Sequence, residues 1–596
     1  MSQESSADRL AALRETFGEN GIDAFVVPRS DEYQNEYVAP ADERLRFISG
    51  FTGTAGFAAI TRSEAALFTD GRYTVQAQNQ TPDDWEVRHS VEERLEDWLT
   101  ARLDPGSRVG FDPRLHRAME TASLREALAK CGLSLDAVTP NPIDLIWSDR
   151  PHPPSGKVEI YPDDLAGEAL EDKHARVVEV LREEGMDGLV ISAPDNLAWL
   201  LNIRGRDLDM LPVAFALAVV PVEGPIAVHI ASAKIEADVA EALEGSGRVR
   251  LAEPDALDFA AWQGKALRFD SATASTRLVE RAEAAGVEVV LGRDPVQVLK
   301  ARKNATEIAG TRAAHDRDAV PVTRFLRWFA EERPDDATEW DCAQVLWSFR
   351  QGGERYRGPS FDTISATGAN AALAHYRTAE ESAARIEDGD IYLTDSGGQY
   401  LDGTTDITRV TVAGTPTQEM RTRYTQVLKG HVALLRQRFP EGLDGAQLDS
   451  IARQPLWQVG VDFDHGTGHG IGHYLSVHEG PQSISRRGAG VPLEEGMVVS
   501  IEPGYYKPGA FGIRIENLAV VARVEDPPER AERPMLEFDI LTFVPYERAL
   551  IDAALLTDDE IDWIDGYHEE VRSRLAPALE GADRDFLDRM TAPLGD

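Results

Sequence analysis

Four acidic residues and one histidine, Asp395, Asp406, His469, Glu502 and Glu516, fall within a single segment of the chain, in the phrases DSGGQYLDGTTDITR, HGTGHGIGHYLSVHEGP and EPGYYKPGAFGIRIEN. A donor set of carboxylates with one imidazole suits hard or borderline divalent ions such as manganese, and five such residues are enough for a two-metal site. A sulfur-rich set would have indicated structural zinc. Neither Cys131 nor Cys342 lies nearby.

Local sequence indicates how each of these residues would be held. Asp395 ends the apolar alternation that starts at Ile391 and precedes Gly397 and Gly398, which predicts a position where a strand leaves its sheet. Asp402-Gly403 reads as a turn, and the run from Thr404 to Thr408 is expected to pair with that strand, so that both aspartates face one point. His469 sits among glycines that permit close backbone approach, and Glu502 is set in direction by Pro503 and Gly504. Glu516 follows the short strand around Ile513, and Arg514, two residues earlier, is expected on the same face. Taken singly, an aspartate after a strand is most often a turn residue and a glutamate in a strand faces solvent. Five ligand-capable residues at strand ends and glycine turns outweigh any one of them, although spacing alone does not decide the matter.

The three phrases resemble the metallopeptidase family with the pita-bread fold, which includes methionine aminopeptidase, prolidase and the Xaa-Pro aminopeptidases. The likeness is greatest to the three-domain form of the last group and extends over nearly the whole chain. It implies that Asp395, Asp406, His469, Glu502 and Glu516 are metal ligands, with Asp406 and Glu516 bridging two divalent ions, most readily Mn2+. It also implies that a hydroxide shared by the ions attacks the carbonyl before a proline and releases the first residue of peptides beginning Xaa-Pro. Glu502 is then the expected base, and His375, His465 and His478 match active-site histidines, His375 and His478 also touching substrate. Arg72 matches an arginine that the amino-terminal domain offers to substrate, although alone it would read as a turn residue. Arg514 is expected either to order a ligand or to line the proline pocket, and His473 receives no role. A prolidase restricted to dipeptides is the alternative. A non-catalytic binding protein or a metal-free hydrolase on the same fold should have lost ligands, and all five are present.

At 596 residues the chain is too long for one core. The expected fold is α/β: two related creatinase-type amino-terminal domains, 1–145 and 146–302, and a pita-bread catalytic domain with a carboxy-terminal extension, 303–596. An internal repeat supports the pairing. The helical stripe Leu10, Leu13 and Phe17, then Gly21 and the strand Ala24–Val27, is matched by Val177, Val180 and Leu181, then Gly185 and the strand Leu189–Ile191, and Asp31 aligns with Asp195. Breakers between Asn141 and Pro154, and again from Arg293 to Asn304, place the seams, after which Glu307 to Glu332 reads as a helix. Beyond Glu516, an acidic Pro-rich loop from Glu525 to Pro534 leads to a strand at Phe538–Val544 and a helical tail, Asp558 to Met590.

A formal charge of -40, dispersed along the chain, argues against nucleic acid or an anionic membrane as partner. Two distant cysteines fit a reducing compartment, the first residues have no signal-peptide pattern, and the apolar run from Met210 to Val222 is too short to span a bilayer. A cytoplasmic enzyme is expected, and the resemblance implies a homodimer.

Overall fold

Leu10, Leu13 and Phe17 line one buried face of helix α1 (Ser6–Asn20), which ends where Gly21 adopts the left-handed φ of 62°. Strand β1 (Ala24–Pro28) follows. The computed structural model describes residues 5–488, 490–526 and 531–594. The same order recurs in helix α2 (Leu170–Glu183), Gly185 at φ 71° and the strand Gly188–Ile191. Within α2 the buried stripe is Lys173, His174, Val177, Val178 and Leu181. Val178 therefore takes the place expected for Val180, because the i, i+4 rows start from Lys173 and His174 rather than one residue later.

The repeat extends to the sheets. With β2 (Phe57–Thr61), β3 (Ala65–Thr69), β4 (Glu86–His89), β5 (Arg108–Phe111) and β6 (Ser134–Ala137), the first sheet runs β4-β3-β2-β1-β5-β6. Naming β7 (Gly188–Ile191), β8 (Leu217–Pro221), β9 (Ile226–His229), β10 (Val249–Ala252), β11 (Ala266–Asp270) and β12 (Glu288–Gly292), the second runs β10-β9-β8-β7-β11-β12. In each, the first strand in sequence is antiparallel to the second and parallel to the fifth. Two copies of one α/β module are present. Both sheets belong to a compact unit made of Met1–Tyr161, Ala169–Leu208 and Pro212–Val296.

The second unit gathers Pro162–Glu168, Asp209–Leu211 and Gln297–Asp596. Its long helix α3 (Ala305–Glu331) is started by Asn304, whose side chain accepts from Thr306 and Glu307 amides, while Glu307 reaches back to the Asn304 amide. The Asn304 amide group also donates to the Ala166 carbonyl at 2.8 Å. Helix α4 (Glu339–Arg350) packs on α3, with helices α5 (Gln418–Leu435) and α6 (Ala446–Trp457) further along.

The strands of this unit are β13 (Tyr356–Pro359), β14 (Ile364–Thr367), β15 (Ile391–Ser396), β16 (Gly398–Tyr400), β17 (Gly403–Thr404), β18 (Ile407–Val412), β19 (Phe439–Pro440), β20 (Gly468–Gly470), β21 (Glu479–Ile484), β22 (Val498–Ile501), β23 (Gly504–Lys507), β24 (Phe511–Arg514), β25 (Asn517–Arg523) and β26 (Met535–Ile540). They form the sheets β14-β15-β18, β13-β16-β17, β19-β26-β25-β22-β20-β21 and the hairpin β23-β24. Gln399 of β16 donates to the carbonyls of Leu475 at 2.7 Å and Met210 at 2.9 Å.

The last strand starts earlier than expected and stops at Ile540 rather than Val544. Past that point the Leu541 amide still donates to the Leu518 carbonyl of β25 at 2.9 Å, and further on the Tyr567 hydroxyl takes over, contacting Val544 N, Val544 O and Thr542 O. The helical tail is two helices, α7 (Asp558–Leu575) and α8 (Gly581–Met590), whose Ile564, Val571, Leu575 and Leu587 join the core of this unit. The acidic loop Glu525–Pro534 lies partly outside the described residues. Among the described residues no helix is long and apolar enough to cross a membrane.

Candidate metal centre

Asp395 lies near the end of β15, and β15 pairs with β18 from Ile407 onward. Thr404 does not join that pairing, as had been expected, but pairs with Gln399 in the β16-β17 hairpin. Between the two aspartates the chain makes a side excursion, and a buried ion pair pins it. Asp318 of α3 accepts both Arg350 donors, at 2.7 and 3.0 Å, together with the hydroxyls of Tyr400 and Thr405, each at 2.8 Å. Thr405 is the residue before Asp406.

His469 occupies the middle of β20, between β21 and β22. A Cβ on Gly468 would come within 1.9 Å of the Ser500 carbonyl oxygen, and one on Gly470 within 2.2 Å of that of Glu479. The flanking glycines are required for the histidine to sit between two strands. Glu502 follows β22, and its amide donates to the Thr467 carbonyl at 2.7 Å.

Glu516 lies in the link between β24 and β25, two residues past Arg514, whose charge acts on it. Its Oε2 accepts from the Thr408 hydroxyl at 2.7 Å. Arg514 faces Asp395 Oδ2 at 2.5 Å, the Tyr506 hydroxyl at 2.6 Å and the Ala374 carbonyl at 3.1 Å, with Glu502 Oε2 at 3.9 Å.

Ligand-capable atoms of Asp406, His469 and Glu516 lie within 4.8 Å of one another. His469 Nε2 is 3.6 Å from Asp406 Oδ2 and 3.7 Å from Glu502 Oε1. Two buried carboxylate oxygens of the group, Asp395 Oδ1 and Glu516 Oε1, accept no hydrogen bond. Burial first, and then the neighbouring carboxylates, raise the Asp406 and Glu516 acids far above the usual range, while burial raises Glu502 to about 8. Such a cluster cannot ionise fully beside a single arginine, and bound cations would satisfy both the charge and the orphaned oxygens. The residues fit a divalent metal centre.

His478 connects to this group directly, and His465 through Tyr506 and Arg514. The His478 ring meets the His469 ring edge-on with centroids 4.4 Å apart. His465 Nδ1 faces the Gly466 carbonyl at 2.7 Å and Nε2 faces the Tyr506 hydroxyl at 2.8 Å. A carbonyl can only accept, so the network assigns the proton to Nδ1 and has Tyr506 donate to Nε2 while accepting from Arg514.

His375 follows Ala374, whose carbonyl Arg514 holds, and precedes Tyr376, whose hydroxyl donates to the buried Glu339 at 3.0 Å. Glu339 also accepts from the amides of Thr367 and Ala384, so one carboxylate ties down the whole segment. Arg72, in the first unit, is held by Asp70 through Nε at 2.9 Å and through a terminal nitrogen at 2.7 Å. His473 is buried, with Nδ1 3.1 Å from the Thr311 hydroxyl.

Sequence reasoning had not found Tyr506, Thr408 or Glu339. Tyr506 was within reach: the hairpin EPGYYKPGAFGIRIE pairs Gly504 with Arg514 and Tyr506 with Gly512, which puts Tyr506 and Arg514 diagonally on one face.

The amino-terminal modules, the strand-end carboxylates and the single ligand-capable imidazole together define a metallopeptidase. Residues 309–523 match the model of metallopeptidase family M24, residues 9–145 and 149–307 match creatinase/prolidase N-terminal domains, and residues 534–594 match the C-terminal region of M24 peptidases. A probable Xaa-Pro aminopeptidase P of Neosartorya fischeri is 39% identical over 99% of this chain and 93% of its own length. Aminopeptidase P2 of Arabidopsis thaliana is 38% identical over 98% of this chain and 88% of its own. A crystal structure of X-prolyl aminopeptidase from Caenorhabditis elegans, described as a cytosolic enzyme with a di-nuclear active site, superposes with a TM-score of 0.93 at 32% identity, covering 99% of this chain and 100% of that one. The chain belongs to metallopeptidase family M24.

Proposed function

We propose that this enzyme is an Xaa-Pro aminopeptidase, removing the first residue from peptides with proline in second position. The observation that carries the reading is the set of buried carboxylates around His469, with two orphaned oxygens and acids held protonated by burial and mutual repulsion. Asp395, Asp406, His469, Glu502 and Glu516 would hold the metal, and Mn2+ would suit so oxygen-rich a donor set. When bound, the ions supply hydroxide near neutral pH and polarise a carbonyl.

The chain's own residues do the rest. Glu502 takes up the proton of the attacking water, its pKa of about 8 in the metal-free protein marking a carboxylate in a dry site. Arg514 fixes Asp395 and the backbone beside His375. His465, whose Nε2 accepts from Tyr506, orients that hydroxyl beside Arg514, and His478, against the His469 ring, meets the oxyanion or protonates the leaving proline nitrogen. A prolyl amide has no N-H, so recognition relies on these donors and on ring contact rather than on donation by the scissile bond.

Residues 1–145 and 146–302 act as two creatinase-type domains ahead of the catalytic domain, 303–596, which the duplicated strand order supports. The enzyme works in the cytoplasm as a homodimer on free peptides, with neither nucleic acid nor membrane as partner. Incubating Mn2+-loaded protein with Xaa-Pro dipeptides and Xaa-Pro-Yaa peptides, followed by mass spectrometry, tests the proposal. Release of the first residue from both classes is expected. Cleavage of dipeptides alone would make it a prolidase, and cleavage of neither would overturn the reading.

A further inference from the structure

The loop that carries His465 is gripped by one side chain from helix α6. Arg453 is 1% exposed. Its Nε donates to Asp449 Oδ2 at 2.7 Å, one turn earlier on the helix. One terminal nitrogen donates to Asp462 Oδ1 at 2.9 Å and to the Phe463 carbonyl at 2.6 Å, and the other to the His465 carbonyl at 2.8 Å. The guanidinium lies 3.8 Å from the centre of the Phe463 ring, and that ring leans on the His465 imidazole with centroids 4.8 Å apart. All three nitrogens of the fork are committed within this loop and its supporting helix.

Asp449 extends the grip. Its other oxygen, Oδ1, accepts from the Thr467 hydroxyl at 2.6 Å, and the Thr467 carbonyl accepts from the Glu502 amide. The pair therefore touches the backbone at His465 on one side and, through Thr467, the backbone at Glu502 on the other.

We infer that Arg453 and Asp449 are positioning residues for His465 and Glu502, an inference that rests on the roles proposed for those two. A buried ion pair is a poor source of stability, since apolar side chains of similar volume serve as well or better. What apolar side chains cannot do is hold two carbonyls and a carboxylate at fixed angles, and a planar guanidinium does this where an ammonium does not. Displacement of a reacting group by about 1 Å can cost roughly a hundredfold in rate.

The test compares the wild type with Arg453→Lys and with the charge-free pair Arg453→Met/Asp449→Leu, the latter keeping the site filled if the lysine variant fails to fold. Turnover and the Michaelis constant for an Xaa-Pro-Yaa peptide, bound metal, melting temperature and the histidine ring 15N spectrum are recorded for each. The His465 signal is assigned by its loss in His465→Ala, and buried His431, bonded to Tyr546 at 3.1 Å, is the internal control. Both variants are expected to keep two ions and the wild-type His431 signal, to shift the His465 signal, and to lose about ten- to hundredfold in turnover with little change in the Michaelis constant. Wild-type turnover, or an unmoved His465 signal in folded protein, overturns the inference. If the wild type itself fails to cleave Xaa-Pro peptides, the proposed function falls, and the ring signal alone then decides whether Arg453 positions His465.

Discussion

Asp395 stands directly opposite Thr408 in the antiparallel pair of β15 and β18, and Asp406 lies two residues before Thr408. Side chains of directly opposed residues share one face of a sheet, so this register puts Asp395 on the side where Thr408 meets Glu516, and Asp406, just before β18, lies close to Glu516 and His469. Asp406 is thus central to the cluster. Asp406→Asn is expected to lose proper binding of both ions and nearly all activity, not merely to weaken one site. Elemental analysis with an activity assay checks this, and two retained ions with full turnover would refute the assignment.

His469 and His478 touch ring to ring but have different roles in this reading. His478→Ala should lower turnover by about a hundredfold or more with metal content unchanged. His469→Ala should lower both. A fully active His478 variant would return that residue to packing.

Metal-free protein should bind ions with release of protons. Burial raises the Glu502 acid to about 8, and burial with the neighbouring carboxylates raises Asp406 and Glu516 well above their usual range, so at pH 7 Glu502 holds a proton that coordination must displace. Apparent affinity should therefore climb with pH up to about 8. Calorimetric titration with Mn2+ in two buffers of different ionisation enthalpy reads the proton count, and zero release at pH 7 would contradict the clustering.

The resemblance that assigns Arg72 to substrate implies that Arg72→Ala raises the Michaelis constant for tripeptides and longer peptides while sparing turnover, since binding remote from the scissile bond would be lost. A charge-assisted hydrogen bond to substrate is worth about 1.5 to 3 kcal/mol, so its removal weakens binding roughly ten- to hundredfold. Steady-state kinetics over a series of peptide lengths measures it. Constants unchanged at every length would leave Arg72 as the partner of Asp70 and nothing more.

Asp294, fully buried in the first unit, accepts from Asn196 and from the Val296 amide, yet burial and, after it, Asp270 push its pKa up to about 7. With the unfolded value near 4, the folded state holds a proton that the unfolded state has lost, so stability falls as pH rises from about 4 to about 7 and stays lower above that. Three pKa units correspond to about 4 kcal/mol as an upper figure. Asp294→Asn should melt at a higher temperature than the wild type at pH 8.5, with the difference shrinking toward pH 5. Scanning calorimetry at the two pH values decides it.

What could be read from sequence followed locality. Asp395, Asp406 and Glu502 carry their own markers, a strand ending at each or a glycine turn beside it, and Gly21 and Gly185 mark equivalent helix ends in the two modules. Arg453 carries no such marker. An aspartate and an arginine four apart on a helix look like a surface pair, and only the loop folding over α6 makes them an interior clamp. Glu339 was invisible because its donors come from Thr367, Asn370, Tyr376 and Ala384, residues that the helix sequence around it says nothing about.

The second unit is stitched with chain made early in synthesis. Met210 precedes its donor Gln399 by 189 residues, and Ala166 precedes Asn304 by 138. At a ribosomal pace of about 5 to 20 residues per second, the Met210 carbonyl is made roughly 10 to 40 seconds before the side chain it serves. A recombinant catalytic fragment begun at residue 303 would never receive either carbonyl, so the seam that looks natural in sequence is a poor place to cut the gene.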